Sequence, residues 1–215
     1  MNALLGLNLA FCVVTIAIAY PSGPPINHFG FRSVCTDMNP KPGHTREPQV
    51  NTPSPYKITL SQDSYANDLR IQVNVTGKNI RQRFAGFMLQ ARKVGRKMPL
   101  GTFSHFSMGT QGLHCAPGND TTWGHSNADH KLVASAMWSP PKWDNGEIQF
   151  VATVVQGPNI VYWMDVKSDI VVYMGPSRPP TTMESGQTVV RSSSWSCLLS
   201  SILVLIITSA LHETT

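Results

Sequence analysis

The side chains able to ligate, attack or transfer protons are few in this chain, and their spacing limits what they can do. Of the four cysteines, Cys12 and Cys197 sit in apolar end segments, and only Cys35 and Cys115 lie between those ends. His125 and His130 are five residues apart with no Glu between them, so they lack the i, i+4 helical spacing of a metalloprotease site. In a strand-rich region that odd separation places them on opposite faces. His44, His105, His114, His125 and His130 therefore read as polar surface or hydrogen-bonded loop residues in preference to zinc or copper ligands. The methionines are scattered and read as core filler. No G-x-S-x-G elbow is present, and "GTFSHFSMGTQG" lacks the lysine of a phosphate-binding loop. No catalytic residue, cofactor or metal site is predicted, and the chain is not expected to be an enzyme.

The charged residues are more informative. They make up 13% of the 215 residues against a usual quarter, yet the net charge is +5. Arg81, Arg83, Arg92, Lys93, Arg96 and Lys97 cluster just after Lys78, and no acidic residue occurs between Arg70 and Asp120. So one-sided a run creates a positive field. These six residues are the candidate anionic-ligand surface. The competing assignment is a solvated edge that discourages strand pairing. For a secreted chain the partners on offer are sulfated glycans, microbial envelopes, anionic lipid or another extracellular protein, and not nucleic acid.

Secretion is expected from the ends of the chain. Residues 1–19 form an apolar stretch closing in Ala17-Ile18-Ala19, the small-x-small pattern of a signal peptide. Residues 195–211 form a second apolar run with no Lys or Arg after it. A transmembrane protein held by this run would place its positive charges beyond the span. A glycosylphosphatidylinositol signal with attachment at Ser185 fits better, with Ser192–Ser194 or a single span as the alternatives. In an oxidising compartment Cys35 and Cys115 are expected to pair. Asn74-Val75-Thr76 and Asn119-Asp120-Thr121 are acceptors for N-glycans at Asn74 and Asn119.

The elements that must position these residues are strands. In residues 70–75 apolar and polar side chains alternate, with Ile71, Val73 and Val75 inward and Asn74 outward. Strands are predicted at 56–61, 69–76, 84–93, 112–116, 131–138, 146–156, 159–166 and 169–174, separated by Gly, Pro, Asn and Asp turns. Trp138 ends a strand as a core residue, while Trp123 and Trp143 fall in loops. The 84–92 segment carries Phe84, Gly86, Met88 and Gln90 on one side and Phe87, Leu89 and Ala91 on the other. Both faces are apolar in the middle, so its charges must collect at two ends about 30 Å apart. No amphipathic helix is evident, and the Pro-rich residues 20–55 read as extended. The pattern is that of an all-β sandwich over 20–175, followed by a Pro/Ser/Thr-rich stalk at 176–194.

Short motifs then occur in a telling order: "YPSGPP" at 20–25, Cys35 with Met38 and Pro40, "FAGFMLQAR" at 84–92, "LGTF" at 100–103, "LHC" at 113–115, "GHS" at 124–126, "HK" at 130–131, "WSPP" at 138–141 and "GEIQFVATVV" at 146–155. Together they resemble the reeler (reelin N-terminal) domain over about residues 20–165. The resemblance implies an immunoglobulin-like antiparallel β-sandwich, extracellular, with a Cys35–Cys115 bridge. It also implies kinship with small secreted insect defence proteins and with the N-terminal part of ferric-chelate reductase-like membrane proteins. The expected function is a recognition module at the cell surface, with a role in innate defence. The alternative is a truncated reductase-type ectodomain that binds metal or assists redox chemistry. The haem-bearing part of those relatives has no counterpart in these residues.

Overall fold

The computed structural model describes residues 20–26, 34–40, 44, 46–157 and 161–176. The expected signal peptide, Ser185, the hydrophobic tail and all but the first residue of the expected stalk lie outside them. No helix among the described residues is long and apolar enough to cross a membrane.

A single helical turn, α1 (Val34–Asp37), precedes ten strands. They are β1 (Tyr56–Leu60), β2 (Ser64–Tyr65), β3 (Ile71–Gly77), β4 (Gly86–Lys93), β5 (Thr102–Ser104), β6 (Thr110–Leu113), β7 (Thr122–His125), β8 (Val133–Ser139), β9 (Ile148–Val155) and β10 (Tyr162–Tyr173). One sheet has the order β1-β3-β8-β5 and the other β2-β10-β9-β4-β7-β6. This is the expected all-β sandwich. Every strand pairing is antiparallel except that of the two-residue β2, which runs parallel to β10.

Period-2 alternation builds the inner faces. Ile71, Val73 and Val75 of β3 lie inward beside Ala134, Ala136 and Trp138 of β8. They meet Phe87 and Leu89 of β4 and Phe150, Ala152 and Val154 of β9 in one core. Aromatic rings tile its centre edge to face, with Trp138 on Phe150 at 5.1 Å and Phe87 on Trp123 at 4.8 Å. The Trp138 indole N–H donates to the Leu100 carbonyl at 2.9 Å, so the buried ring leaves no orphan donor.

Several expectations change. Trp123 is fully buried on β7 and is not a loop residue. The two strands expected at 159–166 and 169–174 are one strand, β10, whose register on β9 shifts between Trp163 and Val166 and again between Lys167 and Ile170. Each shift breaks the two-residue alternation, which makes one strand look like two. The strand expected at 112–116 is β6, ending at Leu113, so Cys115 lies just beyond it. Residues 20–55 are not all extended, because α1 carries Cys35.

That segment explains why β4 and β9 are buried on both faces. Residues 20–26 and 34–40 form a strap across the outer face of the second sheet. Val34 and Met38 of the strap pack with Met88, Leu113, Cys115 and Val151 in a second apolar cluster. The Cys35–Cys115 disulfide is present and spans 80 residues of sequence. In the chain-entropy account a closure of that length contributes about 4–5 kcal/mol. A Cys35→Ser/Cys115→Ser protein should lose stability of about that size, and chemical denaturation should show it. Residues 34–40 should lose amide protection before the inner core does.

Candidate functional site

The two ends of β4 carry the basic groups. Before the strand, Asn79 organises a tight turn: its side-chain Oδ1 accepts from the Arg81 amide at 3.0 Å and its carbonyl from the Gln82 amide at 3.0 Å. Arg81 and Arg83 stand exposed there. After the strand the Arg96 amide donates to the Lys93 carbonyl at 2.9 Å, and Gly95 adopts φ +77°, open to a residue without a Cβ. Lys93, Arg96 and Lys97 are exposed around this turn, with Val94 and Met98 exposed between them. Nine residues separate Arg83 from Lys93 at about 3.3 Å each, or about 30 Å.

Arg92 departs from the expected surface. It is 7% exposed, on the face of β4 that the strap covers. Its Nε and Nη2 donate to Gln90 Oε1 at 2.8 and 2.6 Å, and Nη2 donates to the Thr36 carbonyl at 2.8 Å. Gln90 Nε2 in turn donates to the Cys35 carbonyl at 2.9 Å and to Thr122 Oγ1 at 2.8 Å. Burial pulls the guanidinium below its usual range, while Asp165 and Asp37 oppose this. Arg92 is thus a clamp on the strap, and the candidate surface reduces to Arg81, Arg83, Lys93, Arg96 and Lys97. Lys131 is likewise buried, its ammonium donating to Asn127 Oδ1 and the Asp129 carbonyl at 2.8 Å each.

Asn74 lies on the outward face of β3, where its Oδ1 accepts from Ser135 Oγ at 2.7 Å. Asn119 is exposed in the turn before β7. A group of three His, Cys, Asp or Glu side chains fit to hold a metal ion does not occur among the described residues.

The histidines are not arranged as their spacing suggests. His44, His125 and His130 line one cavity of about 250 Å³ between the strap and the sheet. His125 continues the β4–β7 ladder with its side chain: the Phe87 amide donates to Nδ1 at 3.1 Å, and Nε2–H donates to the Tyr20 carbonyl at 3.2 Å. Nδ1 also lies 3.1 Å from the Phe87 carbonyl, so a neutral ring takes the Phe87 amide there and a protonated ring would donate to that carbonyl instead. Gly86 makes room for the ring, since a Cβ there would lie 3.2 Å from it. Burial holds the His125 imidazole below its ordinary range, and Lys131 adds to this, while donation from the ring to the Phe87 and Tyr20 carbonyls opposes it. His44 is lowered by burial and by His125. One strand end and two loops converge on this cavity, so sequence spacing could not reveal it.

The sequence matches the Reeler domain over residues 33–179. The chain belongs to the reeler domain family. A protein of Hyphantria cunea named for a defence role, Hdd11, is 37% identical over 165 residues, covering 74% of this chain and 92% of that one. A protein of Danio rerio named as a candidate ferric-chelate reductase is 33% identical over 151 residues, covering 70% of this chain and 26% of that protein. The human F-spondin reeler domain superposes with a TM-score of 0.48 at 17% identity, covering 56% of this chain and 89% of that one.

Two outcomes follow for this reeler chain. Arg92→Ser leaves the buried Gln90 Oε1 without its charged donor, at about 1–3 kcal/mol. Lys93→Ser, Arg96→Ser and Lys97→Ser should each stay within about 0.5 kcal/mol of the parent, as exposed positions do. Urea unfolding separates the two classes. The second outcome concerns pH. His44 and His125 have lowered pKa values when folded, so below about pH 6.5 the unfolded chain takes up protons that the folded chain resists. Stability should be full above that pH and decline as pH falls through the window beneath it. Thermal midpoints measured from pH 7.5 to 5.5 should show this slope, and His125→Gln should flatten it.

Proposed function

We propose that this reeler domain is an extracellular recognition module of the defence type, held at the cell surface through its C-terminal tail with attachment at Ser185. In this reading it engages anionic glycans or microbial envelopes through the basic groups at the two ends of β4. The observation that carries it is the exposure of Arg81 and Arg83 at one end and of Lys93, Arg96 and Lys97 at the other. None of these five makes an ion pair among the described residues. A buried β4 keeps the two spots apart, so one compact anion cannot reach both. A long sulfated chain or an extended anionic surface can. The likeness to the Hyphantria cunea protein supports the defence assignment. Glycans at Asn74 and Asn119 are consistent with both spots, since neither asparagine lies on β4 or its flanking turns.

Each contact is made by solvated charges, screened over about 8 Å at physiological ionic strength, so binding should weaken steeply with salt. Immobilised heparin should retain the purified protein above about 0.15 M salt. Lys93→Ser/Arg96→Ser/Lys97→Ser and Arg81→Ser/Arg83→Ser should each lower the eluting salt, and the combined variant should remove retention. Arg92 is left intact because it holds the strap. Elution of the parent protein below physiological salt would show that these cations are only a solvated edge.

A further inference from the structure

The cavity under the strap is distinct from the basic ends of β4, and its walls have a different chemistry. Pro24, Met38 and Pro40 line it from the strap, and Met88, Thr153 and Val155 from the sheet. Among the described residues no Asp, Glu, Lys or Arg contributes to its lining. Its polar groups are mostly committed already. Thr153 Oγ1 donates to the Met38 carbonyl at 2.8 Å, and both His125 ring nitrogens hold backbone groups. His44 differs from these: its Nδ1 is buried and has no hydrogen-bond partner among the described residues. A buried nitrogen in that state costs free energy unless something bonds to it.

We propose that this cavity binds a small neutral aromatic alcohol, its ring held by Met38 and Met88 and its hydroxyl bonded to His44 Nδ1. The size follows from the volume: an apolar cavity of about 150 Å³ takes up benzene, so 250 Å³ suits about ten non-hydrogen atoms. The aromatic character follows from the two thioethers, Met38 of the strap and Met88 of the sheet, which favour ring contacts. Neutrality follows from the lining, which offers no fixed charge to a carboxylate or an ammonium. A hydroxyl suits His44 because it can donate or accept, whichever tautomer the imidazole holds. The strap that encloses the site is itself anchored by the disulfide and the Arg92 clamp, so the cavity is a preformed part of the fold.

The test uses three probes of one shape: 2-naphthol, naphthalene and 2-naphthoate. The readout is the methyl carbon-13 signals of methionine in the purified protein. 2-Naphthol should shift the Met38 and Met88 signals to saturation and leave those of the exposed Met108 and Met174 unmoved. Naphthalene should bind about five-fold more weakly, as loss of one neutral hydrogen bond implies. 2-Naphthoate should produce no saturable shift. His44→Phe should bring 2-naphthol and naphthalene to equal affinity, and Val155→Trp should fill the space and abolish both. The order of the three probes on the parent protein decides the matter even if a variant fails to fold. Absence of saturable shifts at Met38 and Met88, equal movement of Met108, tighter binding of 2-naphthoate, or parity of 2-naphthol with naphthalene on the parent protein would each overturn the proposal.

Discussion

The docking of residues 20–26 and 34–40 on the outer face of the second sheet is the constraint on which the rest depends. A free-standing sandwich leaves the outer faces of its sheets in water. Here β4 and β9 are buried on both faces, and without the strap Met88, Val151 and Leu113 would be exposed. Three kinds of bond hold it. The disulfide fixes α1 beside the end of β6, Gln90 and Arg92 donate to the carbonyls of Cys35 and Thr36, and Thr153 donates to the carbonyl of Met38. These bonds satisfy a stretch of backbone that has no sheet partner of its own.

The same constraint distributes the charge. A strand covered on both sides can bear exposed cations only at its ends, so the basic sequence around β4 divides into two groups. The one cation that falls within the covered stretch, Arg92, is drawn into the strap's hydrogen bonding. Its guanidinium can serve several carbonyl-type oxygens at once, which a lysine ammonium does with less geometric fixity. Residues adjacent in sequence thus take opposite tasks, Arg92 inside and Lys93 outside, because successive side chains on a strand point to opposite faces.

The strap also creates the cavity. Proline-rich backbone cannot lie flat on a sheet as a further strand, because it lacks the amides to pair. Pro24 and Pro40 instead line a cavity between strap and sheet. His125 shows how closely the two layers are tied: its ring satisfies the Phe87 amide on one side and the Tyr20 carbonyl on the other.

Much of the fold was legible in the sequence because its cause is local. Alternation in β3, apolar residues on both faces of β4 and a lone pair of cysteines between apolar ends each follow from a few neighbouring positions, and each has its counterpart in the structure. The short strands β2, β5 and β7 carry too few residues to show a period, and the bulges of β10 erase one. Trp123 therefore read as a loop residue. The candidate site divided along the same line. Which residues are basic, and that they flank a buried strand, was present in the sequence. That Arg92 is buried, and that His44 meets His125 and His130 across one cavity, depended on where a distant segment settles. Periodicity reports which face of a strand is apolar. Only tertiary structure decides what covers that face, and with it which charges and ring nitrogens remain free to bind.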